Sequence, residues 1–374
     1  MEMTTDALTS TERVRRRRAI ITQSLRTLEA WGCDEMEVPL LAPHDELRSA
    51  VGDRVASQLF RFVDRDGRLL FLRGDITPVV AWQFARVMRP NGGTARVSYA
   101  NRIARVQRSF AGQQLESYVV GMELIGAGEI AADLECICMA ADVLERLDVN
   151  DLEIHVGDIA VGASLIDAAT TSSSARDALR DALRRRDAWR VRATSEQAGV
   201  APDLASMLQR LCKMNPLRAD VEALANHGPD AVRVASRRLL TLLDHLTALG
   251  LTQRVRPDLA ALDDRGYYTG MRFRLLSHVL GEELGSGGRY DRLLGHFGPD
   301  RPAVGFGLRV DRLITLREAR SCEDEAAFES VSVHDADVVD GLRRALAVRR
   351  RGAHVRLAHE AENRPTENHA TEVK

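Results

Sequence analysis

Few of the features that announce a chemistry are present in this sequence. Lysine occurs only at Lys213 and Lys374, so arginine carries nearly all positive charge, a usage that points to a GC-rich genome rather than to a mechanism. Cysteine is limited to Cys33, Cys136, Cys138, Cys212 and Cys322, an odd, scattered set that makes no disulfide framework. Cys136 and Cys138 stand two apart in a helix-like apolar run and so face different sides, which favours buried thiols over a metal site. No stretch approaches the roughly 20 apolar residues of a membrane span, and the opening segment lacks the apolar core of a signal peptide. A cytoplasmic chain with no membrane partner is expected. His44, His155, His227, His245, His278 and His296 are spread singly without metal-ligand spacing, and no nucleophile has a matched base. No catalytic residue, metal or cofactor is therefore expected. A net charge of -2 leaves no general footprint for nucleic acid, and the run Arg15 to Arg18 reads as a solvated helix face.

What is present is a globular composition over 374 residues, enough for two or three domains. Three glycine-bearing segments follow one another late in the chain. They are Tyr267-Tyr268-Thr269-Gly270, then Gly285-Ser286-Gly287-Gly288-Arg289-Tyr290-Asp291, then Gly305-Phe306-Gly307-Leu308-Arg309-Val310-Asp311-Arg312. Glycine lets a backbone approach a ligand closely, and each run carries an arginine or tyrosine able to hold one. Three in order between apolar strand-like stretches indicate a built pocket.

Periodicity predicts an amphipathic helix over Thr9 to Trp31, capped by Thr9, Ser10 or Thr11 and ended by Gly32. A strand over Cys33 to Leu41 stops at Pro39, and Leu59 to Val63 and Leu69 to Arg73 flank Asp66-Gly67 as a hairpin. Thr77 to Met88 reads as a helix with Pro78 in its first turn. Arg96 to Val106 and Leu115 to Ile125 read as strands joined through Ala111-Gly112, followed by a helix over Ala131 to Leu147 and a strand over Leu152 to Val156. Strand signals return at Gly270 to Leu276. The expected fold class is α+β: an antiparallel sheet flanked by helices, formed by residues 1–168 and 255–318, with a helical insertion at 169–254. Residues 319–374 read as a short strand–helix–strand unit with a polar tail, disordered from about Ala358.

From about Arg13 to Leu316 these segments resemble the catalytic core of the class II aminoacyl-tRNA synthetases, and of the histidyl-tRNA synthetase family in particular. Trp31-Gly32 to Pro39-Leu40-Leu41 is similar to motif 1, which implies self-association there. Leu72 to Thr77 stands where that family has its Leu-Arg-Pro-Glu-Gly-Thr loop; Arg102 to Gly126 resembles motif 2 and Gly305 to Arg312 motif 3. The register places Arg105 on the arginine that grips the ATP α-phosphate and Arg312 on the one that stacks on adenine. It also shows departures. Gln107 replaces a glutamate and Val119 a glutamine, and in the tyrosine register Asp263 replaces the arginine that supports adenylation; sliding Arg265-Gly266 onto that arginine would change the local geometry. An aspartate beside the α-phosphate would repel the charge that grows in the transition state, a loss of about 100- to 1000-fold in rate. The tail after Leu316 is also too short for an anticodon-binding domain.

A synthetase core with these departures resembles a paralogous family, the regulatory subunits of ATP phosphoribosyltransferase in histidine biosynthesis. The resemblance implies a catalytically silent core, a short catalytic partner subunit in a hetero-octamer, and histidine as feedback effector. The alternatives are a short histidyl-tRNA synthetase or other adenylate-forming ligase, and a free-standing histidine sensor. Asp75, Thr77 and Glu123 supply acceptors for an ammonium. Glu123 stands in an apolar strand, so it is either paired with an arginine or a ligand contact. Arg105 holds a carboxylate or a salt bridge within its own hairpin. Tyr267 and Tyr268 alternate across a strand, so only one faces the pocket; the resemblance implies that a tyrosine there meets the ligand's imidazole, and Tyr268 is the one expected, with Tyr267 in the core or behind it. Gly287 and Gly288 form the pocket floor, with Arg289 and Asp291 as structural partners. Histidine is thus expected to bind at Asp75, Thr77, Arg105, Glu123, Tyr267, Tyr268, Gly287 and Gly288.

Overall fold

A computed structural model of the chain describes residues 11–87, 93–106, 115–251, 254–262, 265–320, 328–333 and 338–359. Gln107, Ala111, Gly112, Asp263 and the tail beyond 359 lie outside these, as do the cap candidates Thr9 and Ser10. The chain divides into two units, residues 1–320 and 321–374.

Helix α1 (Thr11–Ala30) buries Ile20 and Leu28 and packs Ile21 and Leu25 beside them. Gly32 ends it at φ 79°, a left-handed position that favours glycine. The amide of Cys33 donates to the Leu28 carbonyl at 3.0 Å and that of Gly32 to Glu29 at 2.8 Å, closing the last turn. The expected strand from Cys33 to Leu41 is broken. Only β1 (Asp34–Glu35) pairs, and β2 (Leu41–Pro43) belongs to a separate three-stranded sheet. After the short helices α2 (His44–Leu47) and α3 (Asp53–Ala56), that sheet is completed by β3 (Arg61–Val63) and β4 (Leu69–Leu72) around the Asp66-Gly67 turn.

Helix α4 (Thr77–Val87) leads to the long hairpin β5 (Ala95–Ala104) and β6 (Glu116–Ile125), then α5 (Ile130–Arg146) and β7 (Leu152–Asp158). The sequence pattern passed over the next helix, α6 (Ile159–Ala169), although Asp158 carries its signal: its carboxylate accepts from the Ala160 amide at 2.9 Å as an N-cap. Five helices follow: α7 (Ser173–Arg184), α8 (Ala188–Gln197), α9 (Pro202–Leu211), α10 (Arg218–His227) and α11 (Asp230–Ala248). Their buried leucines, among them Leu179, Leu208 and Leu239, share one apolar cluster with Val156 and Phe273 of the sheet. Then come β8 (Val255–Pro257), β9 (Met271–Ser277), β10 (Glu282–Arg289), β11 (Ala303–Arg309) and α12 (Val310–Ala319).

The main sheet has the order β1-β5-β6-β11-β10-β9-β7-β8. Its six inner strands are antiparallel, while β1 on β5 and β8 on β7 are parallel, so the sheet is mixed rather than purely antiparallel. Helices α1, α5, α11 and α12 pack against it.

The glycine-rich runs are not turns but the central strands β10 and β11. Register explains their composition. Tyr99, Gly121, Gly307 and Ser286 form one row across four strands, and Val97, Glu123, Gly305 and Gly288 the next. A Cβ at Gly305 would overlap Oε2 of Glu123, and one at Gly121 would lie 2.8 Å from the Tyr99 hydroxyl oxygen. The glycines thus hollow the middle of the sheet beneath two large polar side chains.

In the second unit, β12 (Phe328–Val333) and β13 (His354–His359) run parallel, joined by α13 (Val338–Arg350), with Val331, Ala345 and Val348 buried between them.

Arg289 clamps the end of β10. Its Nε donates to Asp133 at 2.8 Å, and its terminal nitrogens reach Asp291 at 3.0 Å and the carbonyls of Ala127 and Glu129 at 3.2 Å. Removing one partner of a buried pair strands the other. Arg289→Ala is expected to lower unfolding free energy by about 3–5 kcal/mol in urea titration; a loss below about 1 kcal/mol would contradict this role.

Candidate functional site

A cavity of about 420 Å³ opens over this hollow, within the range of small-molecule sites. Asp75 and Thr77 enter from the segment that starts α4, Tyr99 and Arg105 from β5 and just beyond it, and Ser286, Gly305 and Gly307 from the sheet. Arg265, Tyr267 and Tyr268 come from the segment before β9, Tyr290 from the end of β10, and Arg312 from α12.

Asp75 is buried, and all three of its contacts reach Oδ2. Arg265 Nη1 lies at 2.5 Å, the Tyr267 hydroxyl donates at 3.3 Å, and Arg105 Nη2 stands at 3.5 Å. Oδ1 takes no hydrogen bond from the described residues. Burial opposes its charge, but the guanidiniums of Arg265 and Arg105 outweigh that and hold its carboxyl below the usual value. Arg105 also donates through Nε to the Gly74 carbonyl at 2.5 Å, so its partners lie in the Gly74–Asp75 segment and not in its own hairpin.

Glu123 has no arginine partner among the described residues. It is 1 % exposed and lies behind the residues that line the cavity. Its Oε1 accepts from Thr77 Oγ1 at 2.8 Å and from the Tyr99 hydroxyl at 3.1 Å, and its Oε2 accepts from the Tyr290 hydroxyl. Burial pushes its carboxyl up to about 7, against the pull of those three hydroxyls.

The expectation for the tyrosine pair also changes. Tyr267 and Tyr268 lie outside any strand, so alternation does not apply and both line the cavity. Their rings stand 4.9 Å apart, and Tyr290 meets Tyr267 edge-on at 5.9 Å. The turn before them is clamped: the Gly52 amide donates to the Arg265 carbonyl at 2.9 Å, and Gly266 sits at φ 88° with no room for a Cβ against Gly52.

Gly287 and Gly288 do not form the floor. A Cβ at Gly287 would meet the Phe273 ring, and one at Gly288 would lie 2.9 Å from the Tyr268 ring, which covers it. The floor is Ser286, Gly305 and Gly307. The structure thus brings Asp75, Thr77, Arg105, Tyr267 and Tyr268 together on the wall, with Glu123 behind it. Sequence reasoning missed Tyr99, Tyr290 and Arg265 as site residues. Tyr99 had no motif to mark it, whereas Arg265-Gly266 stood beside the tyrosines and was set aside because of the register.

Arg312 pairs with Glu282 at the α12 side of the cavity, near Arg309 and Arg13. Among the described residues no cluster of His, Cys, Asp or Glu could hold a metal ion, and no helix is long and apolar enough to cross a membrane.

The raised Glu123 carboxyl has a cost in stability. The unfolded chain ionises it near 4.5 and the folded chain near 7, so stability falls as pH rises through that window. Glu123→Gln should therefore gain about 1–3 kcal/mol at pH 8, with the gain shrinking toward pH 5, as followed by Tm. An equal change at both pH values would refute the assignment.

Residues 8–313 match the family model described as histidyl-tRNA synthetase. The chain is 33% identical over 312 residues to the ATP phosphoribosyltransferase regulatory subunit of Bacillus subtilis (strain 168), spanning 81% of this chain and 78% of that one. It is 30% identical over 343 residues to the protein of the same name from Moorella thermoacetica, spanning 91% and 87%. A solved ATP phosphoribosyltransferase regulatory subunit/histidyl-tRNA synthetase from Bacillus halodurans C superposes with a TM-score of 0.83 at 26% identity, over 96% of this chain and 92% of that one. The histidyl-tRNA synthetase of Nostoc sp. PCC 7120 shares the fold, with a TM-score of 0.74 at 18% identity over 94% and 84%. Built on the histidyl-tRNA synthetase fold, the chain belongs to the family of ATP phosphoribosyltransferase regulatory subunits.

Proposed function

We propose that this regulatory subunit binds histidine in the cavity and conveys that occupancy to a short catalytic ATP phosphoribosyltransferase subunit, as feedback inhibition in histidine biosynthesis. The observation that carries the reading is Asp75: a buried carboxyl held ionised, with Oδ1 unengaged among the described residues, beside two guanidiniums and two tyrosine rings. An amino acid presents a complementary set. Its ammonium needs an acceptor, its carboxylate a guanidinium fork such as Arg105 or Arg265, and an imidazole a flat aromatic wall.

The chain requires no catalysis of its own for this role. It would act in the cytoplasm, and its partner would depend on it for activity. Assembly would be a hetero-octamer with self-association through the motif 1-like region; the exposure of Trp31, Leu40 and Leu41 supports an apolar contact there. The division into a core at 1–168 and 255–318, an insertion at 169–254 and a C-terminal unit at 319–374 forms part of this reading. Histidine would act by linkage, shifting the complex toward the state that binds it better.

One observation favours a second reading, a residual adenylate-forming ligase. Arg265 puts an arginine on the cavity wall, where the sequence register had placed Asp263. Histidine-dependent exchange of pyrophosphate into ATP by the isolated chain would support that reading and displace the first.

Calorimetric titration of the chain with histidine should give saturable binding. Asp75→Asn should weaken it by tenfold or more, since a hydrogen bond to a charged group contributes about 1.5–3 kcal/mol. The complex reconstituted with its catalytic subunit should lose histidine inhibition in parallel. Full feedback by a folded Asp75→Asn protein would overturn the assignment.

A further inference from the structure

Arg265, Tyr267 and Tyr268 reach the cavity from the stretch between β8 and β9, whose described parts are 258–262 and 265–270. Neither part holds a helix or strand, so its place depends on how its ends are fastened. At the first end, Asp258 is buried. Its amide donates to the Val156 carbonyl at 2.7 Å, and its Oδ1 accepts from the Ala260 amide at 3.1 Å and from Arg186 Nη2 at 2.7 Å. At the last, the Gly270 carbonyl accepts from the Ile159 amide at 3.1 Å. Asp158 stands just before Ile159, also buried, and its Oδ2 accepts from Arg238 Nε at 2.6 Å. Arg186 and Arg238 both belong to the helical block α7–α11, which thus grips a carboxylate at each end of the stretch.

Arg186 stands in a conformation that glycine takes more easily. It follows α7 at φ 54°, with its amide on the Leu183 carbonyl and that of Asp187 on the Ala182 carbonyl, both at 2.9 Å. These bonds make a Schellman turn, whose left-handed residue is most often glycine. Backbone strain of this kind persists where the surroundings use the residue, and here the side chain is used twice. Nη1 donates at 2.7 Å to the carbonyl of Lys213, in the turn after α9, while Nη2 holds Asp258. One guanidinium therefore joins the α7–α8 turn, the α9–α10 turn and the stretch that feeds the cavity.

We propose that Arg186 is a positioning residue for the cavity: through Asp258 it sets the stretch that carries Arg265, Tyr267 and Tyr268, so that cavity occupancy and the placement of the helical block are linked. This rests on reading the cavity as a histidine site. In the closed state Arg186 spans Lys213 and Asp258. In the open state it leaves Asp258, and the stretch loses one of its fastenings. A ligand that needs the wall in place binds the closed state better and so holds the clamp shut. The linkage is reciprocal, and whatever opens the clamp weakens the ligand by the same factor.

The test compares the full chain with its Arg186→Gly, Arg186→Gly/Asp258→Asn and Arg186→Lys variants. Glycine suits the left-handed turn, so the first variant removes the guanidinium and keeps the backbone. The second also removes the charge that would be left buried without a partner. Arg186→Lys keeps the charge but not the fork. Calorimetry follows L-histidine binding, and amide hydrogen exchange of the α7–α8 and α9–α10 turns is read with and without saturating histidine. In the wild type, histidine is expected to slow exchange in both turns by about fivefold, the lower end of coupling between linked sites. The two glycine variants should still bind histidine, weaker by a similar factor, and the slowing should vanish; Arg186→Lys should fall between. A purely structural role would speed exchange in both states and leave the histidine effect intact. An exchange response that survives in the double variant, or wild-type affinity in it, would overturn the inference and leave the histidine site standing. So would a wild-type chain that binds histidine with no change in these turns. A wild-type chain that binds no histidine would overturn both.

Discussion

A carboxyl group cannot sit inside a sheet without hydrogen-bond donors, because burying it unpaired costs several kcal/mol. Glu123 is the residue in this position, and much of the surrounding architecture follows from it. Three hydroxyls from three separate stretches of chain converge on its two oxygens. Space for that group exists because the facing strand carries glycine at Gly305, against the Glu123 carboxyl, and β6 carries glycine at Gly121, against the Tyr99 hydroxyl. The glycine-rich strands, the long β5–β6 hairpin and the start of α4 are thereby fitted to one another at a single point. The same point is the floor and back wall of the cavity.

Two buried acids near this point are held in opposite conditions. Asp75 faces guanidiniums and stays ionised, while Glu123 faces hydroxyls and titrates near neutrality. Environment alone separates them, a pattern that in enzymes divides acid from base. In a regulatory subunit the same separation suits recognition. Asp75, held ionised beside two guanidiniums, is the acceptor that the proposed histidine site needs. Regulation by a ligand requires only that its affinity differ between assembly states, and no chemical step on this chain is needed for that.

Much of the architecture was legible in the sequence, since helix periodicity and caps are local. Helix α1 with its Gly32 terminus, the β5–β6 hairpin and the family motifs all follow from short-range patterns. The unpaired stretch between Glu35 and Leu41 was not, because pairing partners are set by tertiary contacts; β2 leaves the main sheet for β4. The strands β10 and β11 were disguised by glycine, which weakens any strand pattern yet here makes room for side chains from the next layer. Of the site, Asp75, Thr77 and Arg105 could be reached through motif positions. Tyr99 could not, because its role depends on register across four strands. Arg265 stood in plain view, and only the geometry of its turn against Gly52 shows that it reaches Asp75.

The most direct measurement is a crystal structure of the chain grown with histidine. The account predicts histidine in the cavity, its ammonium on Asp75 Oδ1 and its ring against the tyrosine wall of Tyr267, Tyr268 and Tyr290. Histidine bound elsewhere, at a contact between subunits, with the Asp75–Arg265 pair unchanged and the cavity empty, would contradict it.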